Sequence, residues 1–72
     1  MTPQKKAALL GARLRDARTE AELSQQAVAN RMGLHRPTIG YIERGTRGVL
    51  AVELVALAKL YGKNPADFLV GL

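Results

Sequence analysis

The stretch Met32 to Gly45, MGLHRPTIGYIERG, gathers the side chains able to do chemistry. Arg36, Thr38, Tyr41 and Arg44 bring guanidinium, hydroxyl and phenol groups to one short segment, with Pro37 and Gly40 between them. These groups bind through hydrogen bonds and charge rather than make or break bonds. No Ser/His/Asp or Cys/His set, phosphate loop or ligand cluster accompanies them, so an enzyme is the weakest functional class. Ile39 and Ile42, three apart, mark the opposite side as the buried face of a helix. A helix this short does not stand alone in water, so the rest of the chain must support it.

The totals bound what that support can be. Seventy-two residues, 47% of them hydrophobic, make one small domain spanning residues 1–72. A core of this size rarely yields more than about 3–5 kcal/mol unaided. With no cysteine and one histidine, neither a cross-link nor a structural zinc is expected, and no cofactor is implied. Self-association is then the remaining source of extra stability. No stretch is apolar enough to span a membrane and the N-terminus has no signal-peptide pattern, which indicates a cytoplasmic protein. The net charge of +5 is unevenly placed: residues 1–18 and 31–47 are basic, 19–30 acidic and 48–72 balanced. Two basic segments that could meet in space suggest a polyanion, and a merely solvated surface is the other reading.

Stepping along the chain, the supporting elements are helices. Thr2 and Pro3 form a cap and first position, and Leu10, Leu14, Ala17 and Ala21 form a stripe, predicting a first helix over about Pro3 to Ala21. Its other face carries Lys5, Lys6, Arg13 and Arg15, and Gly11 costs it about 1 kcal/mol relative to alanine. Ser24 caps a second helix over about Gln25 to Met32, which Gly33 ends. Small Ala29 stands where that helix would pass close to a neighbour. The third runs from about Arg36 to Arg44 after His35, with Pro37 in its first turn. A fourth is expected over about Ala51 to Tyr61, carrying Leu54, Leu57 and Ala58. Asn64-Pro65-Ala66-Asp67 has the outline of a capping box, predicting a fifth helix over about Pro65 to Val70. There is no strand signal and no repeat, so the fold class is all-α with five short helices.

The second and third helices, joined by a short turn containing glycine, have the pattern of a helix-turn-helix at about residues 25–44. Leu23-Ser24-Gln25, Val28-Ala29, Gly33, Ile39, Ile42-Glu43-Arg44-Gly45 and Leu54 to Tyr61 stand in order and at fixed spacing. Together they resemble the Cro/repressor-like, xenobiotic-response-element type of helix-turn-helix family, over about Leu10 to Leu69. The resemblance implies a compact lambda-repressor-like domain whose third helix enters the DNA major groove. It places Arg36, Pro37 and Tyr41 toward base edges, with Thr38 at the edge of that face. Arginine can donate twice to guanine, worth about 1–3 kcal/mol of discrimination. For Tyr41 a half-buried core position is the alternative. The resemblance gives Gln25, Arg44, Thr46 and Arg47 to the phosphate backbone, and a solvent-facing Gln25 is the other reading. It also implies a structural ion pair between Arg18 and Glu43.

Three departures from the family pattern stand out. His35 replaces the usual serine or threonine cap. It is either an exposed residue with no role or a phosphate donor, in which case affinity rises below pH about 6.5. Gly40 removes a side chain from the recognition helix. Val49 and Leu50 replace a common proline and serine, leaving the fourth helix poorly capped and two aliphatics free to meet a protein.

The leading expectation is a sequence-specific DNA-binding transcriptional regulator, a repressor-type homodimer on double-stranded DNA with a two-fold operator. The family often dimerises through the C-terminal region, which makes Leu54, Phe68, Val70 and Leu72 the interface candidates. For Val70 and Leu72 a frayed tail is the alternative. The competing reading is a protein-binding module of antitoxin type that has kept the fold. The operator, the controlled genes and any effector are not written in the sequence. The chain is either complete or the DNA-binding part of a longer regulator.

Overall fold

The computed structural model describes residues 1–72, and helices account for its regular structure. Helix α1 covers Pro3–Glu20, α2 Gln25–Met32, α3 Arg36–Arg44 and α4 Ala51–Leu60. The starts follow the sequence chemistry. Thr2 Oγ1 accepts from the Lys5 amide at 3.2 Å and Ser24 Oγ from the Ala27 amide at 3.0 Å. His35 makes no side-chain cap bond, so α3 depends on Pro37 and on packing for its start. At α4, the Glu53 carboxylate accepts from the Leu50 amide at 3.0 Å, the reciprocal half of a capping box, while the half that needs a side-chain acceptor on Leu50 is not made.

The fold has four α-helices and not the expected five. Residues Pro65–Phe68 form one 3-10 turn. Asn64 does cap it, but its backbone bonds run from Asp67 to Asn64 and from Leu69 to Ala66, three residues apart rather than four, and the Arg13 guanidinium ties the carbonyls of Phe68 and Val70 to α1 at 3.0 and 2.6 Å.

The helices converge on Leu14, Val28, Ile39, Ile42 and Leu57, the largest fully buried side chains. Ala29 and Ala58 are also completely buried, in keeping with small residues where helices pass closely. Helix α3 packs against both α1 and α2, so the two isoleucines are covered from two sides. Gly11 is a point of close approach between α1 and α3: a Cβ there would run into the Ile42 carbonyl oxygen and lie 2.6 Å from that of Glu43. The glycine that weakens α1 locally is what allows α3 to lie against it.

Two residues expected at a dimer interface belong to this core. Leu54 is 8% exposed and Phe68 4%, so both are spent on holding the monomer together. An aliphatic or aromatic residue in a C-terminal segment serves core or interface equally well by type, and the packing of α4 and the final turn assigns these two inward.

Candidate nucleic-acid interface

The outward side of α3 is formed by Arg36, Pro37, Tyr41 and Arg44, all exposed, while Ile39, Ile42 and Glu43 are buried on the inward side. Pro37 fits because the first turn of a helix has no use for its missing N–H. Gly45 adopts φ +76° and stops the helix, and α1 passes so close there that a Cβ would meet the Ala8 backbone at 2.6 Å. Tyr41 is 48% exposed, which sets aside the core alternative. The Arg44 guanidinium lies 5.1 Å from its ring centroid, a cation–π contact that fixes both side chains on the surface.

Behind this surface runs a chain of hydrogen bonds linking three helices. Arg18 of α1 grips Glu43 twice, Nε to Oε2 at 2.7 Å and Nη2 to Oε1 at 3.1 Å, and its Nη1 donates to the Leu23 carbonyl at 2.8 Å. This is the ion pair implied by the resemblance, and the hydrogen bond to Glu43 holds the guanidinium above its ordinary pKa. Gln25 Nε2 also donates to Glu43 Oε1 at 3.0 Å, and Gln25 Oε1 accepts from Arg36 Nη1 at 3.0 Å. Gln25 is therefore neither idle nor simply facing solvent. Both ends of its amide are engaged, one by the buried carboxylate and one by the first residue of α3. No buried side-chain polar atom in the molecule lacks a partner.

Beyond α3, the expected phosphate contacts have separate fates. Arg44 remains free of ion pairs. Thr46 Oγ1 donates to the Tyr41 carbonyl at 3.2 Å and helps close the end of α3. Arg47 instead makes a two-pronged pair with Glu53, at 2.7 and 3.1 Å. Arg47 and the Leu50 amide together hold the Glu53 carboxyl below its usual range. In this arrangement Arg47 fastens the loop to the start of α4. His35 is exposed at the turn, and Thr38 is half-buried. At the far end of the molecule Val70 is exposed and Leu72 half-buried.

The sequence reasoning left Arg15 without a role beyond the polar face of α1. It lies three residues before Arg18, hence on the same side of the helix, and lines a notch of about 310 Å³ together with Arg18, Gln25, Gly40, Glu43 and Arg44. The helical spacing from Arg18 was the available signal. Gly40 borders this notch as well: it stands four residues from both Arg36 and Arg44 on the outward side of α3, and the Arg44 guanidinium covers the place its side chain would take. No group of residues of metal-binding type comes together, and no helix is long and apolar enough to cross a membrane.

The family described as a helix-turn-helix domain matches residues 9–68. The chain is 37% identical over 62 residues to the control protein C.BamHI of Bacillus amyloliquefaciens, covering 85% of this chain and 76% of that one. It is 35% identical over 59 residues to the cryptic phage CTXphi transcriptional repressor RstR of Vibrio cholerae, covering 82% of this chain and 53% of the relative, about half its length. Among solved structures, the restriction-modification controller protein C.AhdI from Aeromonas hydrophila superposes with a TM-score of 0.79 at 37% identity, over 86% of this chain and 94% of that one. The DNA-binding domain of BldD superposes with a TM-score of 0.79 at 33% identity, over 94% of this chain and 97% of that one. With the motif, the buried ion pair and these likenesses in agreement, the chain belongs to the helix-turn-helix domain family, in its Cro/repressor-like branch.

Proposed function

We propose that this protein is a sequence-specific DNA-binding transcriptional regulator that works in the cytoplasm as a homodimer, placing α3 in the major groove. The observation that carries the reading is the outward row of Arg36, Pro37, Tyr41 and Arg44 on a helix whose other side is anchored by Ile39, Ile42 and Glu43. Arg36 is the principal reader, donating to guanine, while Pro37, Thr38 and Tyr41 offer apolar or hydroxyl contact to neighbouring bases. His35, Arg44 and Thr46 face the backbone and set the position of the helix without reading sequence. The relatives named as a controller protein and a transcriptional repressor support a regulatory role.

The homodimer uses the apolar residues left outside after the core is complete. Val52 is 74% exposed, and Val55, Leu69 and Val70 are exposed as well. Two copies joined in this way present two α3 helices to successive major grooves, about 34–36 Å apart. Selection of bound duplexes from a random pool tests the whole reading. A palindrome of two half-sites is expected, and no enrichment at all would remove it.

A second reading, a protein-binding module of antitoxin type, draws on Leu50, exposed together with Val52 at the start of α4, whereas Val49, expected beside Leu50, is half-buried against the core. A salt titration separates the two. Binding through phosphates falls linearly in log salt, and its absence would favour the protein partner.

A further inference from the structure

Building on the DNA-binding reading, we propose that Arg15 of α1 is a phosphate contact, gripping one phosphodiester group of the duplex together with Arg44 across the notch that Gly40 keeps open. The notch draws on three helices and no apolar side chain lines it. Three guanidinium groups meet there with a single carboxylate, leaving two positive charges in excess. The four are not equivalent. Arg18 is fully committed to Glu43 and the Leu23 carbonyl, and Glu43 is shared between Arg18 and Gln25. Arg15 is left with no hydrogen-bonding or ionic partner for its guanidinium, even with Asp16 and Glu20 on the same helix, and Arg44 has only the Tyr41 ring.

Gly40 contributes by what it lacks. A Cβ there would lie 3.2 Å from Arg44 Nη1, so that the guanidinium would have to shift by a few tenths of an ångström. The missing side chain lets Arg44 lie across α3 with its charge directed at the space that Arg15 borders. A group with several strong acceptors and one negative charge fits between two such free donors, and the DNA backbone supplies it next to the groove that α3 enters. The footprint then extends from the motif itself to α1, where Arg13 is engaged with the carbonyls of Phe68 and Val70 and Arg15 is not.

Fluorescence-anisotropy titrations of a selected duplex across a series of KCl concentrations test this, comparing the wild type with Arg15→Gln, Gly40→Ala and, as a remote control, Lys59→Gln. Arg15 is exposed, so its variant should melt with the wild type. The expected result is weaker binding by Arg15→Gln on every sequence alike, and a log–log salt slope shallower by about 0.9. Gly40→Ala should weaken binding without lowering the melting temperature, and Lys59→Gln should leave the slope unchanged. An Arg15→Gln protein with the wild-type slope and affinity overturns the proposal, as does one that loses discrimination between bases. If inorganic phosphate at constant ionic strength protects the DNA-free wild type but not Arg15→Gln, the notch takes a free anion and the duplex assignment fails. A wild type with no affinity for any duplex would sink the DNA-binding reading as well, whereas normal wild-type binding with an unaltered variant sinks only the role of Arg15.

Discussion

Arg36 donates to the side-chain oxygen of Gln25 at 3.0 Å, so the first residues of the two helices of the motif are bonded to each other. Because the same amide donates to Glu43, the orientation of Gln25 is fixed and its oxygen points at the Arg36 guanidinium. With Arg36 in the proposed reading role, Gln25 would act through it, limiting the rotamers open to the guanidinium.

Replacing Gln25 separates this role from a simple backbone contact. Gln25→Ala should weaken binding to the preferred site by about 1–3 kcal/mol and relax discrimination at the base that Arg36 reads. Binding measured on the preferred duplex and on each single-base variant would decide it. Equal weakening on all sequences would mean that Gln25 serves the phosphates alone.

Arg18→Ala strands the carboxylate of Glu43, whose residue is 8% exposed, with only the Gln25 amide as partner. Breaking a buried pair from one side costs about 3–5 kcal/mol. A core of this size supplies about that much in total. The variant should be largely unfolded at room temperature by circular dichroism. A variant that melts normally yet fails to bind DNA would move Arg18 from support to contact.

At Gly11, two effects of opposite sign compete. Helix propensity alone favours Gly11→Ala by about 1 kcal/mol. The added Cβ, however, would meet the Glu43 carbonyl at 2.6 Å, and backbone is not free to move aside. Overpacking of this kind costs about 1–3 kcal/mol, so a lowered denaturation midpoint is expected. A raised midpoint would show that α1 and α3 can separate without loss.

The same backbone logic gives a stabilising change. Glu22 sits at φ +58° just after α1, where the Leu23 amide bonds back to the Arg18 carbonyl at 3.2 Å. Non-glycine residues pay roughly 1–2 kcal/mol for that conformation. Glu22→Gly should raise the melting temperature, with no change in DNA affinity. An unchanged or lower melting temperature would show that the turn is not strained.

Burial pushes the Tyr61 phenol up to about 12, the charge of Glu43 adds to the shift, and Arg18 opposes it. The folded state thus favours the neutral phenol. Its contribution to stability is complete below the ordinary value of 10.0 and is lost as pH rises from there through about 12. Tyr61→Phe should remove the tyrosinate absorbance step near 12 and make stability less sensitive to pH over that window. Persistence of the step in the variant would assign it elsewhere.

Most of the frame was legible from periodicity and capping. The residues predicted for α2 and α3, Gln25 to Met32 and Arg36 to Arg44, are those that form them, because Ser24, Gly33 and Gly45 mark the ends by local chemistry. Helices α1 and α4 each end one residue sooner than expected. The final segment was read as a helix from its cap. It closes as a single 3-10 turn that is fastened to α1 by Arg13, a partner distant in sequence and therefore invisible to a local pattern. The same reason covers the remaining differences. Residue type marked Leu54 and Phe68 as apolar without saying which surface they cover. It marked Arg47 as basic without revealing Glu53 as its partner. Gly40 stood out by its type, and its place beneath Arg44, four residues on in the same helix, follows from helical periodicity.

Glu43 is bonded to Arg18 through both of its oxygens and to Gln25 through one of them, and Gln25 in turn holds Arg36. Heating that loosens α1 from α3 withdraws support from the reading guanidinium through those same atoms. Thermal unfolding and loss of base discrimination should then occur over one temperature range. On the proposed reading, no warm interval is expected in which the molecule stays folded on DNA yet binds every sequence alike.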